Sequence, residues 1–131
     1  MRIIHDNPKI SSRRGELRTF LFWGWIKIHR SVKQDSQQWH AIVAHEYKHW
    51  EHYKRSWGLH PIRYKFSKSY RYQCELEAYA AEVVSQESIW GALNYRARKT
   101  AARLIANEYD LNLEPCNVLP ELTAEILSQT S

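Results

Sequence analysis

Residues 36–58 read SQQWHAIVAHEYKHWEHYKRSWG, and this stretch decides how the rest of the chain is read. Asp35 or Ser36 supplies a side-chain oxygen that caps a helix start, and Gly58, with Pro61 soon after, supplies the stop. Between them Trp39, Ile42, Val43, Trp50, Tyr53 and Trp57 recur at helical spacing and form one apolar seam. The expectation is a helix of about 20 residues with an aromatic-rich face turned to the core. His45-Glu46-Tyr47-Lys48-His49 lies in its middle. This H-E-x-x-H spacing sets both imidazoles on one face, a turn apart, where each can aim a nitrogen at the same cation. The two histidines flank the seam at the edge of the core. Glu46 falls on the same side, placed to take a proton from water beside that cation without itself being a ligand.

Upstream of this helix the pattern is that of strands. Arg2-Ile3-Ile4 suits a short one, and Leu17 to Trp23 and Trp25 to His29 are rich in aromatic and β-branched residues. Gly24 between them suggests a bulge or a bend, and Ser11 to Gly15 reads as the preceding loop. Downstream, residues 59–70 read as a connection rich in Tyr, Lys and Ser. A second helix is expected from about Arg71 to Ile89, with Leu76, Tyr79, Ala80, Val83 and Trp90 on its apolar face. A third is expected from about Asn94 to Tyr109, with Ala97, Ala101, Leu104 and Ile105 inward. A short last helix, Leu119 to Leu127, is expected to open at Pro120, with Ser128 to Ser131 fraying. The sum is an α+β domain over residues 1–131: a small N-terminal sheet packed on the motif helix, then a glutamate-bearing helix and further helices.

The 131 residues fit one domain, and 44% apolar residues with 25% charged is the balance of a folded chain. Six Trp and eight Tyr supply ample surface to bury, and four Gly with four Pro exclude collagen-like or linker-rich classes. The run Phe20 to Ile26 is too short to span a bilayer, and the first residues turn polar before a secretory apolar region forms. The default expectation is therefore a cytoplasmic protein without a membrane span. Cys74 and Cys116 form no C-x-x-C pair and suggest no disulfide framework. The net charge of +5 leaves room for an acidic partner. Arg96, Arg98, Lys99 and Arg103 on the third helix would be a nucleic-acid face, although a solvated helix surface explains them as well.

A catalytic metal needs a third protein ligand. Glu75, Glu77 and Glu82 follow on the second helix. Glu75 borders its apolar face closely, Glu77 lies farther round, and Glu82 stands about two turns on from Glu75. His60, 11 residues past His49, is the competing ligand, and His52 fits a supporting position. His5, His29 and His40 have no evident partner.

From about Phe20 to Val84 the chain resembles small zincin metallopeptidases of the gluzincin kind. The resemblance rests on a strand before the motif helix (Trp25 to His29), on His45-Glu46-Tyr47-Lys48-His49, and on Glu75-Leu76-Glu77-Ala78-Tyr79. The last is similar to the E-x-x-A-D motif whose first Glu is the third zinc ligand. The resemblance therefore implies Zn²⁺ on His45, His49 and Glu75, with Glu46 as general base in peptide-bond hydrolysis and a peptide or protein as substrate. It also implies that the substrate adds as a strand along Trp25 to His29. Tyr79 stands where the relatives carry Asp, so the carboxylate that would orient a ligand histidine must come from elsewhere. Donors for the developing oxyanion are on offer from Tyr79, His60, Tyr64, Tyr70, Arg71 and Tyr72. In SprT-like zinc proteins, associated with nucleic acid, a His after the helix completes the triad, which here would be His60. A metal site without catalysis, closed by His52 or Glu77 as a fourth ligand, is the remaining alternative.

Overall fold

The computed structural model describes residues 1–5, 15–20, 23–90 and 95–130. Three strands, β1 (Arg2–Ile4), β2 (Gly15–Phe20) and β3 (Trp23–Ile28), precede five helices. These are α1 (Gln37–Arg55), α2 (His60–Phe66), α3 (Lys68–Trp90), α4 (Tyr95–Glu108) and α5 (Pro115–Thr130). The class is α+β, as the period-2 and period-3.6 stretches of the sequence require.

The sheet order is β1-β3-β2, with β1 parallel and β2 antiparallel to β3. The strand expected at the edge, Trp25 to His29, is therefore the central one. Its backbone is already paired on both sides, and among the described residues β2 has β3 as its one neighbour. Gly24 sits in regular register opposite Thr19, without a bulge. Its missing side chain serves packing instead: a Cβ there would stand 2.5 Å from the Trp50 ring of α1. Of the expected loop, Ser11 to Arg14 lie outside the described residues, and Gly15 opens β2.

Helix α1 starts where its cap residue dictates. The Ser36 hydroxyl accepts the Trp39 amide at 3.2 Å, and the chain turns off through Gly58 at φ +80°. Trp57 departs from the expected seam. It takes a left-handed φ of 55° after the helix has ended and is 91% exposed.

Residues 59–70, expected as a connection, are mostly helical. Pro61, whose fixed φ suits a first turn, is the second residue of α2. The Arg71 guanidinium donates to the carbonyls of Tyr64 and Lys65 at the far end of α2, and to that of Tyr109. Helix α3 consequently begins at Lys68, ahead of the expected Arg71. The third helix is described from Tyr95, Asn94 lying outside the described residues, and the Trp90 side chain is outside them as well. Pro120 does not open α5, which starts at Pro115 and runs on through Ser128 to Thr130. Val118, Leu122 and Ile126 are wholly buried, and that packing outweighs the amide hydrogen bond a proline withholds mid-helix.

Two apolar clusters result. Ile26, Ile28, Val32, Trp39 and Ile42 join the sheet to the first half of α1. Leu76, Tyr79, Ala80, Val83, Ile105, Val118, Leu122 and Ile126 join α3, α4 and α5. The second half of α1 runs antiparallel along α3 between these clusters, and its histidines face that helix.

Candidate metal centre

The motif spacing puts His45 and His49 on the side of α1 that meets α3, and α3 answers with Glu75. Nε2 of His49 lies 3.3 Å from Oε1 of Glu75, and Nε2 of His45 lies 3.6 Å from Oε2. Two donors each bound at the usual zinc distance and set at a tetrahedral angle are about 3.4 Å apart. One donor atom from each of the three residues lies within 4.8 Å of the others. Glu75 is 1% exposed, a burial that a carboxylate tolerates only with compensation. Tyr64 of α2 donates to its Oε1, yet its Oε2 is buried without a hydrogen bond. Those unsatisfied lone pairs, with two imidazole nitrogens beside them, are a donor set suited to a cation of the zinc class.

The charges of the cluster act on one another. Burial pushes the His45 imidazole down, but the hydrogen bond to Glu82 and the negative charges of Glu75, Glu46 and Glu82 outweigh it and carry it up to about 9. Burial likewise pushes Glu75 up, and His49, His45 and the Tyr64 hydroxyl reverse this to about 2. The donors thus favour positive charge between them. Nδ1 of His45 is 3.1 Å from Oε2 of Glu82. Glu82 thus orients the ring, the task left open by Tyr79. The Tyr79 ring instead packs edge-on against His45 at 4.5 Å, and its hydroxyl bonds that of Tyr109 at 2.9 Å.

A cavity of about 560 Å³ opens over the cluster. Its walls include Leu17 and Thr19 of β2, His45, Glu46 and His49 of α1, His60 and Tyr64 of α2, and Glu75. The Leu17 amide donates to Oε2 of Glu46 at 3.0 Å. In an antiparallel pair alternate residues turn their backbone groups outward, so Gly15, Leu17 and Thr19 present theirs to the cavity. The accessible edge is that of β2, not the Trp25 to His29 strand.

Of the six candidate oxyanion donors, His60 and Tyr64 line this cavity. Tyr79 bonds Tyr109, Tyr72 bonds Glu121, and Arg71 is committed to backbone carbonyls. Glu77 turns away from His45 and His49 and bonds Nε2 of His52 instead. That bond, with burial opposing it and Gln73 assisting, holds Glu77 down at about 2. The two fourth-ligand candidates are thus engaged with each other. His60 stacks on His52 with ring centroids 5.7 Å apart and lies 5.8 Å from the ring of His49. Its Nδ1 is 2.9 Å from the Tyr70 hydroxyl. Burial and the neighbouring His49 and His52 push it down to about 4, so it is neutral. His5 lies away from the cluster, bonding the Val32 carbonyl and packing edge-on against Trp39, and His29 bonds the Ser31 hydroxyl.

Sequence reasoning did not foresee the participation of Gly15 to Thr19. No local pattern marks them, because their role follows from strand order. Among the described residues no helix is long and apolar enough to cross a membrane. The buried His and Glu side chains form a group able to hold a metal ion, while comparison with protein-family models, curated proteins and solved structures finds no match to this chain.

Proposed function

We propose that the protein is a zinc-dependent metallopeptidase whose metal is held by His45, His49 and Glu75. The observation that carries this reading is the position of Glu46. Its carboxylate stands in the same open cavity as the three donors and reaches the outward amide of an edge strand. A structural site has no need of such a cavity, a spare carboxylate or an exposed strand edge.

When bound, the metal supplies a Lewis acid that makes water ionisable near neutral pH and polarises a carbonyl. The chain's own residues do the rest. A substrate backbone extends the sheet by pairing with the outward groups of Leu17 and Thr19. In doing so it takes over the Leu17 amide and frees the Glu46 carboxylate. Glu46 then accepts the proton of the attacking water and delivers it to the departing amine. Tyr64, whose hydroxyl bonds Glu75 and which lines the same cavity, is the donor left for the oxyanion.

The test compares zinc-loaded wild type with Glu46→Gln on a mixture of unfolded proteins. Cleavage by the wild type and its loss in the variant at equal zinc content support the reading. Absence of any cleavage by zinc-loaded wild type overturns it.

A further inference from the structure

A second cluster of ligating side chains lies beside the first and takes no part in the chemistry above. His52 of α1, His60 of α2 and Cys74 of α3 are all buried, at 4%, 9% and 1% exposure. One donor atom from each lies within 4.8 Å of the others. Three successive helices thus bring two imidazoles and a thiol together.

The hydrogen bonds of the two rings are those of metal ligands. A metal-bound imidazole generally gives its other nitrogen to a carboxylate or similar acceptor, which fixes tautomer and orientation. Nε2 of His52 is bonded to Glu77, and its Nδ1 is buried with no partner. Nδ1 of His60 is bonded to the Tyr70 hydroxyl, and no described residue bonds its other nitrogen. A buried imidazole nitrogen left bare costs about 1–3 kcal/mol, and apolar packing alone gives no reason to retain it beside a cysteine.

We propose that His52, His60 and Cys74 form a second metal site, for a borderline-soft divalent cation such as Zn²⁺. Two nitrogens and one sulfur select this class over Ca²⁺ or Mg²⁺, which require oxygen ligands. On binding, the Cys74 thiol gives up its proton to solvent and the sulfur bonds the cation as thiolate. The ion joins α2 to α1 and α3. Seven residues make a marginal helix on their own, and α2 carries His60 and Tyr64 into the wall of the neighbouring cavity. The site is therefore a clamp that fixes this wall.

The cysteine gives the test its selectivity, because the cluster of His45, His49 and Glu75 contains no sulfur. Chelator-treated, reduced protein is titrated with Co²⁺ and followed by absorption. The expected result is a thiolate-to-cobalt charge-transfer band in the near ultraviolet. It vanishes in Cys74→Ser, together with one equivalent of bound metal, and persists in Cys116→Ser. It also persists in His45→Gln, which removes the other equivalent. A wild type without the band, or a band unaffected by Cys74→Ser, overturns the proposal. Should Cys74→Ser fail to fold, Cys74→Ala and His52→Gln carry the same expectation, and the band in Cys116→Ser, where Cys74 is the sole thiol, still decides. A single equivalent that shows the band upholds this site and removes the metal centre on which the peptidase reading depends. A single equivalent without it does the reverse.

Discussion

Nδ1 of His45 is held 3.1 Å from Oε2 of Glu82, three residues beyond Tyr79, where the resemblance to gluzincins leaves the orienting carboxylate missing. The displacement is possible because Glu82 lies two turns past Glu75 on the same face of α3, while Tyr79 turns its ring edge onto His45. Partners of this kind govern metal affinity through the basicity and orientation of the ligand. Glu82→Ala is expected to lower zinc affinity by about 10–100-fold, read by competition with a chromophoric chelator. An affinity within a factor of two of wild type would remove Glu82 from this role.

Glu75 carries the cluster's negative charge, with Oε2 bare of hydrogen bonds. Glu75→Gln keeps the shape but loses the charge. The protein is expected to lose the equivalent of zinc held by His45 and His49 while keeping the sulfur-containing site. Zinc analysis of wild type and variant reads this directly, and full retention of metal would remove Glu75 from the triad.

Metal removal should cost stability wherever the folded chain binds and the unfolded chain does not. Free zinc at a hundredfold excess over its dissociation constant adds about 2.7 kcal/mol. Chelator should lower the melting temperature of wild type and leave the metal-free protein melting at a temperature independent of chelator. A melting temperature that ignores both zinc and chelator contradicts any metal centre in the native protein.

Gly24 has a role that a substitution exposes. A Cβ would lie 2.5 Å from the Trp50 ring, and that ring is itself stacked on Tyr53 at 5.6 Å. Gly24→Ala is expected to destabilise by about 1–3 kcal/mol, the usual cost of overpacking. Restoration by Trp50→Leu in the double variant would show that the ring is the cause, and equal destabilisation in both would exclude it.

Ile105 and Leu122 are wholly buried in the helical cluster. Truncation of either to Ala is expected to cost about 2–5 kcal/mol in denaturant unfolding. A cost below 1 kcal/mol at both would show that α4 and α5 do not pack on α3 as described.

Much of this was written locally. The cap at Ser36, the stop at Gly58 and the His45–His49 spacing depend on neighbours within a turn or two, so helix α1 and the first two donors could be read from residue order. Phase on α3 put Glu75 at the border of the apolar face, while Glu82 stood two turns on with no role assigned to it. Helix α2 was not legible, because residues 59–70 have no apolar period. Its far end is tied by Arg71, which also binds Tyr109 far along the chain. Strand order was equally hidden: the hydrogen-bond partners of β2 and β3 leave no mark on either strand, and so the edge was assigned to the wrong one.

Residue order alone carries the α+β class, the motif helix and a pair of histidines with a glutamate between them, since periodicity and capping are short-range properties. Packing sets which glutamate meets those histidines and which orients them, which strand borders the cavity, and that His52, His60 and Cys74 come together. Those are contacts between residues on separate elements, set by how α1, α2 and α3 lie against one another, which no short-range pattern records.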